Sequence, residues 1–464
     1  MKKTAHLPAI AAAIALAYPA AAWYMGKQLE AHLDEAYRTV AEQTMVKIVE
    51  RKFSRGIFSS DETVTLAFPG IPLTQAQADN ETGSKMLHIS FQTRYRHGPL
   101  PGLSRFAKAS FSSELIVPAD LQASVREFFG DQKPLLLTGH YAFDGSSRLN
   151  IDSPAVTQKF MPEKFGSLAT LEWQGFSGQI ESNSKLTEST FNFSLPGLAL
   201  KEGSDVPLAI SGIRIEGTQH KLLENEPLLQ GGTTTLSIDE INISATGKTT
   251  PMPFAFKIKQ ASEKSSVELK GEHIDLNLEF AASSLQINNQ NYAPAILRCA
   301  WRHIHARPLA QLYRQFVEFS AQTTDTPPAT RGQMLIEKIK QPLLAILAEN
   351  PQFAIDQLSF QTADGPFKLS AEAKLKQLEG NDLENPNAWA KALVAEAQIS
   401  IPRSLAQTQA PPERIDSLIA QGLLTPAGNM LSSQGKLNQE GLYINGNKLG
   451  PNPLIKQAPA PEAE

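Results

Sequence analysis

The chain opens with an uncharged stretch that limits where everything after it can lie. Residues 7–25, LPAIAAAIALAYPAAAWYM, contain no acidic or basic side chain, and Lys2 and Lys3 precede them. As a helix this stretch would be about 28 Å long, close to the thickness of one hydrocarbon core. It predicts a transmembrane signal-anchor over residues 1–25, with the rest of the chain exported under the positive-inside rule.

A cleaved signal peptide is the alternative interpretation of this stretch. Residues 20–22 are alanines that precede Trp23 and would suit a signal peptidase. Two features favour an anchor that is retained. The apolar run exceeds the roughly 7–15 residues of a signal-peptide core, and Trp23 and Tyr24 at its end suit the membrane interface. Pro19 would kink such a helix. Both interpretations export the body.

The composition of the remaining chain favours a large exported β protein. A length of 464 residues suits two or three domains. The net charge of −4 offers no excess of positive charge for phosphate contacts, so nucleic acid is not expected as a partner. Cys299 is the single cysteine, which excludes an intrachain disulfide. Charged residues make up 19% of the chain, below the usual quarter, while Thr, Ser, Gln and Asn are plentiful, and this mix suits the polar faces of antiparallel sheets.

Residues 26–52 are predicted to form a helical stalk after the anchor. Their apolar side chains fall near one stripe of a helix, and Gly26 is the point at which two helices could meet. We expect the stripe to pack on the body. A seam between two copies of the chain is the alternative, and it would make a homo-oligomer through the stalk. The stripe consists of Leu29, Leu33, Tyr37, Val40 and Ile48.

Alternating apolar and polar residues then predict strand after strand. Val64, Leu66 and Phe68 alternate with small or polar residues, and Gly, Pro, Asn and Asp clusters separate the runs. Such spacing indicates antiparallel meanders. The fold class predicted is mainly β, a β-rich α+β fold in which an anchor helix precedes one or two long curved antiparallel sheets with a few packing helices. The regions expected are β-rich at 53–305, a helical insertion at 306–350, β-rich again at 351–450, and a disordered Pro/Ala-rich tail at 451–464.

The helical insertion carries an apolar stripe of its own. Leu312, Phe316 and Phe319 share one face of a predicted helix. Full burial of each side chain is worth about 1.5–3 kcal/mol, so we expect these residues to pack against a sheet.

The common catalytic motifs are missing from the sequence. We find no HExxH, GxxxxGK, GxSxG or GxGxxG. No catalytic residue and no cofactor is therefore predicted, and the chain is expected not to be an enzyme. A hydrolase with dispersed residues is the alternative. His97 in a Gly/Pro-rich turn and the Ser/Asp/Glu run at 59–62 are candidates for catalysis and for cation binding; a structured turn is favoured for both.

One cluster has residue types that bind soft metals. Cys299, His303 and His305 would share a face of a strand, and thiolate and imidazole ligands suit zinc or copper. Packing of these side chains near the end of a strand is the favoured interpretation, with Cys299 acting as a small buried hydrophobe. No metal site is therefore predicted.

Four segments of the sequence resemble a known family by their order and spacing. They are AWYMGKQLEAHL at 22–33, RGIFSSDETVTLAF at 55–68, RHGPLP at 96–101 and GKLNQEGLYINGNKL at 435–449. Together they resemble the bacterial YdgA family, also called the DUF945 domain, over nearly the whole chain. The resemblance implies a single-pass inner-membrane protein of a Gram-negative bacterium with a β-rich periplasmic body. The family has no established activity, so the resemblance supplies no catalytic residue.

Three functions are open at this point. The first is a non-enzymatic scaffold or interaction module of the cell envelope. The second is a protein that handles a lipid or another hydrophobic ligand, because a curled sheet with an apolar inner face forms a groove. Residues 168–180 and 254–258 could line it. The third is the dispersed hydrolase. A continuous apolar groove open to solvent would support the second function, and a convergent cleft of Ser, His and acid side chains the third.

Overall fold

The computed structural model divides the described chain into two compact units. Unit 1 contains residues up to Ser204 with Gly212–Gln230 and Val317–Gly332, and unit 2 contains Asp205–Ser211, Gly231–Phe316 and the residues from Gln333 onward. The residues described are 6–43, 46–68, 87–103, 105–161, 168–203, 205–245, 254–288, 290–322, 328–376, 378 and 385–455.

A single long helix, α1 (His6–Gln43), begins unit 1 and passes through Gly26 without a break. The predicted stalk at 26–52 is wrong at its end, because residues 47–52 belong to strand β1 (Lys47–Arg55). That segment pairs antiparallel with the next strand, so tertiary pairing overrides its helical pattern. Among the helix residues whose side chains are described, none forms a span long and apolar enough to cross a membrane. Lys2 and Lys3 lie outside the described residues.

Unit 1 is built on an antiparallel sheet whose strands mostly follow chain order. The order is β1, β2, β3, β4, β5, β6, β9 and β10, and the far half of β10 pairs with β8, which pairs with β7. A short helix, α2 (Gln122–Phe129), lies between β4 and β5. The strands are β2 (Ser59–Phe68), β3 (Leu87–His97), β4 (Ala109–Ile116), β5 (Leu136–Tyr141), β6 (Ser147–Ser153), β7 (Val156–Phe160), β8 (Ala169–Trp173), β9 (Phe176–Ser182) and β10 (Glu188–Glu202).

Unit 2 is built on a second run of antiparallel pairings. The order is β13, β14, β16, β17, β18, β19, β21, β22 and β23, with β15 paired to β14 and β20 to β21. Its strands are β13 (Phe254–Lys270), β14 (His273–Ile287), β15 (Gln290–Asn291), β16 (Ala295–His305), β17 (Gln352–Thr362), β18 (Gly365–Leu375), β19 (Leu393–Pro402), β20 (Thr425–Ala427), β21 (Met430–Asn438), β22 (Gly441–Ile444) and β23 (Asn447–Gly450).

Among the described residues there are further two long strands, five α-helices and a short 3-10 helix at Pro101–Leu103. The strands β11 (Asp205–Leu223) and β12 (Glu226–Ala245) contribute residues to both units. The α-helices are α3 (Ala306–Gln322), α4 (Pro328–Ala348), α5 (Pro386–Ala392), α6 (Arg403–Gln407) and α7 (Pro412–Ala420). The mainly β fold class is confirmed, and α3 and α4 lie in the region predicted as a helical insertion.

Two packing expectations need correction. Phe319 on α3 is buried, at 5% exposure, but Phe316 is 43% exposed and Leu312 is half-buried, so the stripe is not buried as a whole. The predicted disordered tail is wrong at its start, because Asn452 is buried and its amide donates to the carbonyls of Ala390 and Asn438, each at 2.9 Å. Residues 456–464 lie outside the described residues.

Candidate functional site

The sheet of unit 2 has one continuous apolar face. Residues that lie directly opposite each other on neighbouring strands share a face, and here the pairing aligns apolar side chains in rows across β14, β16, β17, β18 and β19. With a spacing of about 4.8 Å between strands, each row is about 19 Å long. We call these rows the apolar sheet face: Phe280, Leu297, Leu358, Leu369 and Ile399; Leu278, Cys299, Ile355, Ala371 and Ala397; Leu276, Trp301, Phe353, Ala373 and Ala395.

The opposite face of the same strands is polar and ion-paired. Arg298 donates to Glu279 at 2.7 Å and Arg302 donates to Asp356 at 2.6 Å. Further along the sheet Lys436 pairs with Glu396 at 2.8 Å. Partly exposed pairs of this kind add little stability, but they show which face of the sheet water covers. The alternation of the strands therefore sends the apolar residues to the other side.

The apolar sheet face keeps much of its surface in contact with solvent. Phe280 is 42% exposed and Phe353 is 37% exposed, and the other large side chains in the rows are half-buried. Burying one such side chain fully is worth about 1.5–3 kcal/mol, and the exposed fractions leave part of that gain for a further contact. Apolar side chains that are partly exposed in continuous rows make this face a candidate binding surface.

Unit 1 has an apolar face of its own. Leu149, Ile180 and Phe191 lie opposite each other on β6, β9 and β10, and the rings of Phe191 and Phe193 stack at 5.9 Å. The predicted lining segment 168–180 contributes Ile180 to this face. The other predicted segment, 254–258, pairs with the end of β14. Because side chains alternate along a strand, the apolar residues of this pairing lie on the face opposite to that of Leu276. The segment therefore does not line the apolar sheet face.

The helix α1 packs on the first strands of unit 1 at very short range. A Cβ atom at Gly26 would lie 2.4 Å from Cε1 of His97. His97 is buried, and its Nδ1 lies 2.9 Å from the carbonyl of Ile57. Because that oxygen can only accept, Nδ1 carries the proton, and Nε2 accepts from the hydroxyl of Ser60 at 2.8 Å. Burial lowers the pKa of His97, so the neutral ring is favoured.

A buried carboxylate on β2 lies beneath a later part of α1. The side chain of Glu62 is fully buried and accepts from the hydroxyls of Tyr95 at 2.6 Å and Tyr37 at 3.0 Å. Arg51 Nε donates to it at 2.5 Å, and Arg51 also pairs with Asp34 of α1. Burial opposes the charge of Arg51, but these two hydrogen bonds raise its pKa. Burial also raises the pKa values of Tyr37 and Tyr95.

This network accounts for the two candidates that the sequence offered, His97 and the run at 59–62. His97 packs on Gly26 of α1 and accepts from Ser60, and Asp61 pairs with Arg94 at 2.8 Å on the exposed side, so residues 59–62 do not converge as a cation site. The role of Glu62 was missed. The sequence does contain an indication of it, because Glu62 alternates in phase with Val64 and Leu66 and is therefore predicted to lie on the same face of β2 as these two residues.

Part of the predicted stripe packs on the body: Leu29, Leu33 and Tyr37 do so, whereas Val40 is exposed and Ile48 lies on β1. Leu29 and Leu33 are buried and form a core cluster with Tyr95 and Ala109. These two leucines are therefore occupied within one chain.

The three candidate metal ligands do not form a ligand set. Cys299 is half-buried on the apolar sheet face, where burial raises the pKa of its thiol. His303 has a φ of 61° in an irregular part of the strand, and this breaks the alternation that the predicted shared face required. Its ring stacks on that of His273 at 3.7 Å, and its Nδ1 contacts the carbonyl of Glu349 at 2.7 Å. In the part of the chain that the structure describes, no group of three His, Cys, Asp or Glu side chains is arranged for a metal.

These features define a mainly β protein with amphipathic antiparallel sheets and a long N-terminal helix bound to the first of them. The chain belongs to the family described as "Bacterial protein of unknown function (DUF945)", whose model matches residues 1–452. The four motif segments predicted this family, and the match confirms it.

Two curated proteins are distant relatives. The chain is 20% identical to "Protein YdgA" of Escherichia coli (strain K12) in an alignment 411 residues long that covers 81% of this chain and 76% of that protein. It is 22% identical to an "Uncharacterized protein" of Haemophilus influenzae in an alignment 337 residues long that covers 67% of this chain and 85% of that protein. No solved structure matches the chain.

Proposed function

We propose that this chain is a membrane-attached protein of the bacterial envelope that binds the acyl chains of a lipid along the apolar sheet face of unit 2. The observation that carries the proposal is the row structure itself, in which large apolar side chains cross five strands and stay partly exposed. A ligand that covers them removes that surface from water at roughly 25 cal/mol per Å².

The chemistry of the face favours an acyl chain over a polar ligand. The rows consist of aliphatic and aromatic side chains, with Cys299 as their single thiol, and they offer dispersion contacts along their length. A polar ligand buried there would lose its hydrogen bonds to water without replacement, at a cost of several kcal/mol. A flexible hydrocarbon carries no such cost.

Attachment to the membrane belongs to the same proposal. The uncharged stretch at 7–25 supports an N-terminal anchor in the inner membrane with the body in the periplasm. Trp23 and Tyr24, at the end of that stretch, are both exposed on α1, as suits residues at a membrane interface. In this arrangement the apolar sheet face lies on the side of the membrane where envelope lipids are carried between surfaces.

The proposed role is not catalytic. Ser60 and His97 resemble a nucleophile and base, but both side chains are buried beneath α1. The Nδ1 atom of His97 is hydrogen-bonded to a backbone carbonyl. In a catalytic triad this nitrogen is hydrogen-bonded to a carboxylate. This pair supports a role in joining α1 to the sheet.

The alternative is an interaction module whose apolar sheet face is covered by a protein. An amphipathic helix of a partner could lie on the same rows. The two functions predict different molecules bound to the purified chain, a lipid in the first case and a protein in the second.

Lipid extraction and mass spectrometry of the purified full chain test the proposal. Leu358 and Ser359 are neighbours on β17 that face opposite sides of the sheet. We expect the wild-type chain to carry lipid, Leu358→Lys to lose most of it, and Ser359→Lys to keep it, with both variants folded by circular dichroism. A wild-type chain that carries no lipid and binds no fluorescent fatty acid contradicts the proposal.

A further inference from the structure

Three loops at one end of the unit 1 sheet share a common composition. They join β1 to β2 (residues 56–58), β3 to β4 (98–108) and β5 to β6 (142–146). Because β1 to β6 pair antiparallel in chain order, alternate connections lie at the same end of the sheet. These three loops are therefore neighbours, and we call them the loop end.

Each loop at the loop end presents large apolar side chains to solvent. Leu103 is 83% exposed and Phe106 is 75% exposed in the β3–β4 loop. Ile57 and Phe58 are exposed in the first loop, and Phe143 is exposed in the third. Single exposed apolar residues are ordinary, but their placement on three loops at one end of the sheet forms a patch.

The helix α1 leaves the body at this same end. Tyr18 stacks on Phe58 with ring centres 6.1 Å apart, and its hydroxyl donates to the carbonyl of Leu100 at 2.9 Å. Further along α1, Tyr37 reaches Glu62 in the body of the sheet. The helix therefore runs from inside unit 1 towards the loop end, and residues 6–17 continue beyond Tyr18 in that direction.

The charge of the loop end complements an anionic surface. Residues 94–108, RYRHGPLPGLSRFAK, contain four Arg or Lys residues and no Asp or Glu. Arg94 pairs with Asp61 and the third loop contains Asp144, so the positive excess of the loop end comes from Arg96, Arg105 and Lys108. Arg55 borders the first loop and pairs with Glu30 of α1, and its guanidinium lies 5.8 Å from the ring centre of Trp23. Basic residues beside exposed apolar ones are the pattern of a surface that binds anionic phospholipids.

We propose that the loop end inserts its apolar tips into the interface of a phospholipid bilayer that contains anionic lipids. This second contact, beside α1, fixes the orientation of unit 1 on the membrane. The inference rests on the membrane attachment proposed above, and it adds a docking surface on the folded body that is separate from the uncharged stretch and from the apolar sheet face.

Quenching of tryptophan by brominated lipids tests the docking surface in the full chain. The chain would be reconstituted into vesicles of phosphatidylcholine and phosphatidylglycerol with plain or brominated acyl chains. Leu103→Trp places a reporter at the loop end. Leu121→Trp is the matched control, because Leu121 is also exposed but lies in the β4–β5 connection at the opposite end. Circular dichroism would confirm that both variants are folded.

We expect brominated vesicles to quench most of the fluorescence added by Leu103→Trp, and we expect this quenching to be stronger when phosphatidylglycerol is present. The fluorescence added by Leu121→Trp should be unchanged. Quenching of the wild-type signal, to which Trp23 contributes, without quenching at position 103 overturns the docking surface and leaves the anchor intact. Absence of quenching in every chain, the wild type included, overturns the proposed membrane attachment as well. Equal quenching at 103 and 121 overturns the assigned orientation.

Discussion

The imidazole of His97 lies against the backbone of Gly26, so closely that a Cβ at Gly26 would be 2.4 Å from its Cε1 atom. The contact joins two of the segments by which the chain resembles its family, and Ser60 and Ile57 of a third segment hold the ring. The short range requires glycine in the middle of a helix, where glycine costs about 1 kcal/mol relative to alanine. The packing of α1 on the sheet offsets that cost.

Substitution of Gly26 should weaken the packing of α1. Gly26→Ala gains about 1 kcal/mol in helix propensity, but the new methyl group must displace the His97 ring, at about 1–3 kcal/mol for overpacking and about 1 kcal/mol for each hydrogen bond lost. We expect a net loss of about 1–3 kcal/mol, measured by urea unfolding of unit 1. Gly332→Ala is the control, because Gly332 is also helical and a Cβ there meets nothing within 4 Å. Equal effects of the two substitutions would contradict the close contact.

The stability of unit 1 should depend on pH through His97. Burial lowers the pKa of His97 in the folded chain, whereas an unfolded histidine titrates near about 6.5. The stabilisation is therefore present above pH 6.5 and is lost as the pH falls from 6.5 towards the lowered folded-state pKa. Hydrogen exchange of β3 amides between pH 7.5 and 5 would measure this loss. His97→Gln should be less stable at pH 7.5 and should lose less on acidification. A loss that matches the wild type would contradict the assignment.

The buried carboxylate of Glu62 should matter more than an exposed one. Glu62→Gln removes the charge that faces Arg51 and leaves the guanidinium partly buried beside Asp34 alone, which should cost about 3–5 kcal/mol. Glu114→Gln is the control, because Glu114 pairs with Lys133 at an exposed position and should change stability little. Thermal unfolding of the two variants compares them directly. Tolerance of Glu62→Gln would show that the network is not what holds α1.

Two phenylalanines on α3 should respond differently to the same change. Phe319→Asp places a charge where 5% of the side chain is exposed, and it should cost at least about 3 kcal/mol. Phe316→Asp acts at a position that is 43% exposed, and it should cost about 1 kcal/mol or less. Thermal unfolding measures both. Equal losses would mean that Phe316 is as tightly packed as the stripe first predicted.

Local pattern was enough to predict most strands and turns. Val64, Leu66 and Phe68 alternate along β2, and one of the Gly and Asp clusters between the runs, Asp364-Gly365, lies at the turn between β17 and β18. The segment 47–52 was missed because its Ile and Val suit a helix stripe and a strand equally, and only pairing with β2 decides between them. Pattern fails wherever a distant partner sets the outcome.

The candidate sites show the same division. The sequence can indicate which residues alternate along a strand. The register between strands decides which apolar residues share a face, and here the register of β13 on β14 places residues 254–258 on the face opposite to that of Leu276. A local irregularity at His303 removed the shared face proposed for the histidines. Glu62 takes its partners from three other elements, Arg51 on β1, Tyr95 on β3 and Tyr37 on α1. None of these pairings is local in sequence.

Photo-crosslinking at Phe280 tests the binding of acyl chains to the apolar sheet face most directly. p-Benzoylphenylalanine would replace Phe280 in the full chain. Cells that contain this variant would be irradiated, and the adducts would be identified by mass spectrometry. Lys368 is the control position, because it is exposed and lies on the opposite face beside Ser359. The account predicts lipid acyl adducts at position 280 and none at 368. Adducts at 280 that are exclusively protein, or lipid adducts at equal yield from both positions, would contradict it.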